Sequence, residues 1–96
     1  MSNKPFLTIG MAACCNFQQV KWTVTMLRMM HPEVMSRCEI VVCDNAPDTW
    51  HGRAMKKFMA GWVSENGRYY EANKVTGTAH PREEIFTHAR GEWVLV

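Results

Sequence analysis

The chain has no apolar run approaching the 18 residues that mark a membrane-crossing helix. Its opening stretch, MSNKPFLTIG, holds one Lys and no apolar core of signal length, so export is not expected. No charge of one sign dominates. Eleven Lys and Arg against nine Asp and Glu leave a net +2, and the basic residues are scattered rather than striped, which argues against a nucleic-acid surface. There is no G-x-x-x-x-G-K-[ST] loop, no G-x-G-x-x-G turn and no Ser-His-Asp order. A P-loop NTPase and a dinucleotide enzyme are thereby disfavoured. Internal repeats and low-complexity tracts are also missing.

What remains is a globular balance. The 96 residues are 47% hydrophobic and 21% charged, enough for one small domain and too apolar for wholesale disorder. A chain this short hides less than ~70% of the surface that its unfolded form exposes. The four cysteines, Cys14, Cys15, Cys38 and Cys43, are spaced C-C and C-x₄-C, a poor match to the paired ligands of a zinc site. They are expected as free thiols in a cytoplasmic protein, acting as small hydrophobes.

Phe6 to Ala13 (FLTIGMAA) is short and apolar and predicts a buried strand, after which Asn16 can cap a helix. Phe17, Val20, Val24 and Leu27 then recur at helical spacing, and His31-Pro32 stops that helix. Glu39 to Cys43 (EIVVC) suits a strand buried on both faces. Asp44 to Asp48 is a polar turn, followed by a helix over 50–65 with Ala54, Phe58 and Trp62 on its inner face. Arg68 to Ala72 predicts a third strand. A third helix should start at Pro81, with Glu83 and Glu84 in its first turn and Arg90 in its last, and stop at Gly91. Glu92 to Val96 is a fourth strand. The order β-α-β-α-β-α-β implies an α/β fold: an open, mainly parallel four-stranded sheet with helices on both faces, Rossmann-like. Eight Met and four Trp fall mostly on helical faces, where core filling explains them best.

In such a sheet ligands bind beyond the carboxyl ends of the strands. Asp44 stands there. It can accept from a base N–H or from ribose hydroxyls, and turn propensity alone favours a cap. Arg82 can clamp a phosphate, or be a surface Arg beside Glu83 and Glu84. Gly77 permits a close backbone approach, or is an ordinary loop glycine. His51 and His80 lie near the same edge and are each more readily solvated than catalytic.

Taken in register, these segments resemble the amino-terminal, nucleotide-binding half of a GT-A type, family-two glycosyltransferase. The residues that carry the likeness run Ala12-Ala13-Cys14-Cys15-Asn16, then Glu39-Ile40-Val41-Val42-Cys43-Asp44-Asn45. They continue with Pro47-Asp48 and His51-Gly52, Gly77-Thr78-Ala79-His80-Pro81-Arg82, and Ala89-Arg90-Gly91-Glu92-Trp93-Val94. The resemblance implies a truncated GT-A fold that binds a UDP-type nucleotide or nucleotide-sugar. The backbone around Ala12, Ala13 and Cys14 would cradle the base, Asp44 would hold uracil or ribose, and Arg82 would approach the diphosphate, with Asn45 and Gly77 also among the nucleotide-binding residues. The family's Asp-x-Asp, which chelates Mn²⁺ or Mg²⁺, falls beyond Val96, as do the acceptor half and its base. No cofactor is therefore expected within this chain, and transferase activity is not expected of it alone. The alternatives are one part of a split enzyme, or a non-catalytic module that forms a homo-oligomer through the terminal strand Trp93 to Val96.

Overall fold

A computed structural model describes residues 4–61, 66–72 and 79–96. The elements run β1 (Leu7–Ala13), α1 (Phe17–Met30), α2 (Pro32–Met35), β2 (Cys38–Asp44), α3 (Trp50–Ala60), β3 (Gly67–Glu71), α4 (Ala79–His88) and β4 (Trp93–Leu95). The four strands form one open sheet in the order β3-β2-β1-β4, and every pairing is parallel. The expected α/β architecture is the one found.

β2 is central and buried along its whole length, as its β-branched run requires. Ile40 and Val42 point to one face, where Val20 and Val24 of α1 and Met55 and Met59 of α3 cover them. Val41 and Cys43 point to the other face and meet Ile85 of α4, with Val94 alongside. Helices therefore lie on both faces. α4 approaches β1 so closely that a Cβ on Gly10 would overlap the Ile85 Cγ2, so glycine is required there by packing.

Several local expectations are corrected. His31-Pro32 does end α1, but Pro32 also opens a one-turn helix, α2, in the first-turn position that proline favours. Asn16 occupies the cap position of α1 without a side-chain cap bond; its Oδ1 instead accepts the Cys14 N–H at 2.9 Å. α3 ends at Ala60, and Trp62 falls outside the described residues. Its inner stripe is Gly52, Met55 and Met59, while Ala54 and Phe58 are only partly buried. α4 begins at Ala79, two residues before Pro81, and ends at His88. Glu83 and Glu84 thus sit past the first turn, and Arg90 lies beyond the helix. Core filling accounts for Met55 and Met59 but not for Trp22, Trp50, Trp93, Met29 or Met30, all of which are exposed.

Candidate functional site

The parallel register sets the carboxyl ends of three strands side by side, with Ala13 opposite Asp44 and Asp44 opposite Glu71. Asn45 continues the line by donating its N–H to the Ala13 carbonyl at 2.7 Å, and Ala72 donates to the Asp44 carbonyl at 2.8 Å. Asp44 is 2% exposed. Its Oδ1 accepts the Ala46 N–H at 3.0 Å, closing the turn that leads to α3, and its Oδ2 accepts the Tyr69 hydroxyl at 2.9 Å. Asp44 is therefore a turn cap and a tie between β2 and β3. Burial raises the Tyr69 phenol above its ordinary pKa, and the bond to Asp44 adds to the rise, so the hydroxyl stays a donor throughout the neutral range.

The predicted residues are only partly brought together. Ala13 and Asn45 are buried at the rim, and Cys14 is exposed on it. Ala12 turns away to the α4 face. Arg82 is exposed. It belongs to the early part of a helix whose far end meets the amino end of the sheet, where the His88 carbonyl accepts from Arg68 and the Arg90 N–H donates to Glu39. The start of α4 thus lies toward the carboxyl ends of the strands. Gly77 falls outside the described residues. His51 is a linker rather than a free base: its Nδ1 accepts the Phe17 N–H at 3.4 Å, and its ring stacks on Trp50 at 3.8 Å.

The residue that sequence reasoning missed is Glu39, fully buried at the opposite end of β2. Its Oε2 accepts from the Thr8 hydroxyl at 2.6 Å and the Arg90 N–H at 2.5 Å. Its Oε1 accepts from Arg68 at 2.5 Å and from the Arg90 side chain at 3.4 Å. Thr8 accepts in turn from the Gly91 N–H at 2.9 Å. Burial by itself would raise the Glu39 carboxyl, but the hydrogen bonds and the Arg68 charge outweigh it and hold the pKa below its ordinary value. These donors lie 29 to 83 residues from their acceptors in the chain, so no local spacing announces them.

A cavity of about 280 Å³, lined in part by Arg28, Pro32, Met35, Cys38 and Ile40, also lies at this amino end of β2, away from the strand-end rim. Among the described residues no three His, Cys, Asp or Glu side chains gather where a metal ion could be held. The same residues include no helix long and apolar enough to cross a membrane. No family model, no curated protein and no solved structure matches this chain.

Proposed function

We propose that this domain is a glycosyltransferase-like, nucleotide-binding half-fold whose strand-end rim takes a UDP-type nucleotide or nucleotide-sugar. The observation that carries the reading is the placement of Asp44 at the carboxyl end of a central parallel strand, paired across the register with the Ala13-Cys14 turn. That is where open α/β sheets receive ligands. Each carboxylate oxygen has more than one acceptor site, so Asp44 can take a uracil N–H or a ribose hydroxyl beside its bonds to Ala46 and Tyr69. Because the group is buried and already engaged, weak binding is expected, with a Kd of ~1 mM, about −4 kcal/mol. Transfer itself needs a divalent ion under the diphosphate and a base for the acceptor hydroxyl, which a separate chain would supply in a split enzyme.

Calorimetry with UDP and UDP-sugars, with and without Mn²⁺, tests the reading, together with amide shifts on UDP titration. Heat should appear at millimolar ligand, with shifts centred on Ala13, Cys14 and Asn45. Asp44→Asn keeps an acceptor for the turn but loses the charge, and should weaken binding about tenfold. Absence of both heat and shifts at several millimolar would end the proposal.

A second reading is favoured by the outer strand. β4 pairs on one side with β1, and its Trp93 and Leu95 are 65% and 58% exposed on the face they share with Leu7 and Ile9. An exposed edge with apolar side chains is a template for another strand. Under this reading the chain is an interaction module that joins a second copy edge to edge through β4. Light scattering at micromolar concentration should then give a dimer, and Trp93→Lys a monomer. A wild-type chain that stays monomeric would count decisively against it.

A further inference from the structure

The basic residues are dispersed along the chain, yet the fold collects many of them on one layer. α1 (FQQVKWTVTMLRMM) and α3 (WHGRAMKKFMA) contain Lys21, Arg28, Arg53, Lys56 and Lys57 and no Asp or Glu. The two helices lie side by side on one face of the sheet, joined through a shared core and by the Phe17 and Phe58 rings at 6.0 Å. Five of the eleven cations therefore share this layer with none of the nine acids. The opposite face is covered by α4, which carries Glu83 and Glu84 against Arg82. A chain with a net charge of only +2 is thus polarised across its sheet.

Helical periodicity fixes what each helix turns outward. On α1, Val20 and Val24 are buried, while Trp22 and Met29, two turns apart on the opposite side, are 67% and 72% exposed. Lys21 and Arg28 repeat at the same spacing beside them and are exposed. On α3, Met55 and Met59 are buried, and the exposed Trp50, Arg53 and Lys57 follow one another along the outer side. The Arg53 guanidinium donates to the Asp48 carbonyl at 2.8 Å, and the Lys21 ammonium lies 5.9 Å from the Phe17 ring centre. Neither partner is anionic, so both charges persist. The carboxylates that border the layer are Glu33 just after α1, Asp48 just before α3 and Glu71 at the end of β3.

We propose that the outer face of α1 and α3 docks on an anionic lipid surface, with α4 turned to solvent. Such a surface is the partner that uses both halves of the face. Trp22 and Met29 enter the boundary between headgroups and acyl chains, where amphipathic Trp is favoured. The Lys and Arg side chains reach lipid phosphates from the flanks, their aliphatic stems lying along the apolar ridge. A second copy would bring the same cations face to face and be repelled. A nucleic acid would engage the cations but not the exposed Met29. The inference stands apart from nucleotide binding, and its test contains no nucleotide.

Co-sedimentation with vesicles is the test, at ~0.1 M and ~1 M salt, between which the screening length falls from ~10 Å to ~3 Å. The vesicles are phosphatidylcholine alone and roughly 7:3 phosphatidylcholine with phosphatidylglycerol. The native chain should bind the anionic vesicles at the lower salt, at least ~10-fold more tightly than the neutral ones, and be released at the higher. Each cation near such a surface is worth about fivefold in affinity, so Lys21→Gln combined with Lys57→Gln should bind ~25-fold more weakly. Trp22→Ser should lose about tenfold, and Phe86→Ser, which removes an exposed aromatic on α4, should lose nothing. All of these side chains are exposed, so each variant should melt with the native chain. Equal binding to neutral and anionic vesicles, no binding at ~0.1 M salt, or full binding by the Lys21→Gln, Lys57→Gln variant would overturn the proposal. So would tighter binding to a single-stranded oligonucleotide than to the anionic vesicles, which would assign the layer to nucleic acid.

Discussion

Glu39→Gln should lower the melting temperature by about 15 °C at pH 7, a loss of ~3 kcal/mol at ~4–8 °C per kcal/mol for a domain of this size. Every group around the carboxylate is a donor: the Thr8 hydroxyl, the Arg90 N–H and the two Arg side chains. If Thr8 turned its hydroxyl to accept the amide, its buried O–H would lose the acceptor it now has in Glu39. An amide NH₂ in that ring meets donors and leaves at least one buried group unsatisfied. The pH dependence follows from the lowered Glu39 pKa. A carboxylate held below its unfolded pKa, about 4.5, stabilises the fold fully above that value and progressively less as pH falls below it. Urea titrations should show native protein and Glu39→Gln well separated at pH 7, with the gap narrowing as pH falls below 4.5. Equal stability at pH 7 would refute the buried network as a source of stability. Removing both charges, as in Glu39→Met with Arg68→Leu, should cost less than Glu39→Gln, since no uncompensated charge is left inside.

The second large effect is Gly52→Ala. In an ordinary helix interior this change is favourable by ~1 kcal/mol. Here a Cβ on Gly52 would lie 2.5 Å from the Pro47 Cα and carbonyl carbon and would overlap its carbonyl oxygen. Those are backbone atoms of the turn held by Asp44 and by Thr49, whose hydroxyl donates to the Ala46 carbonyl and accepts the Gly52 N–H. With no flexible side chain to give way, the sign reverses and the loss is ~3 kcal/mol, the upper range for overpacking. Gly61→Ala is the control, since among the described residues a Cβ there meets only the Phe58 carbonyl oxygen at 3.5 Å. It should be neutral or slightly stabilising. If Gly52→Ala unfolds at the same urea concentration as native protein, the close approach is not what keeps glycine at this position.

How much of this the sequence disclosed depends on the range of the forces involved. EIVVC announces a buried strand because the β-branched side chains act through their own backbone. The stop at His31-Pro32 is equally local. The inner face of α3 is expected from the i, i+4, i+8 spacing of Ala54, Phe58 and Trp62, whereas Met55 and Met59 are the residues that turn inward, where their flexible side chains pack over β2. At the rim, Asp44 is legible as a residue that follows a strand. Its partner Tyr69 stands 25 residues away on β3 and is not. Glu39 reads as an ordinary charge at a strand entrance, because its compensating donors come from β1, β3 and the segment after α4. The exposure of Trp22 and Trp93 is likewise a property of how the elements assemble, since the same residues would fit a core in another packing.

The outer position of β4 has a consequence for synthesis on the ribosome. The strand pairs with β1, and the Gly91 to Thr8 bond spans 83 residues. While the chain is emerging, β1, β2 and β3 can already lie side by side, yet the donors that Glu39 receives from Arg90 do not exist. Until they arrive, Glu39 has only Thr8 and Arg68 as partners at the entrance of the central strand, and β1 presents a bare edge. The nascent domain therefore cannot seal itself early. The segment from Arg90 to Leu95 acts as the clasp, because it supplies both the last donors to Glu39 and the strand that covers β1.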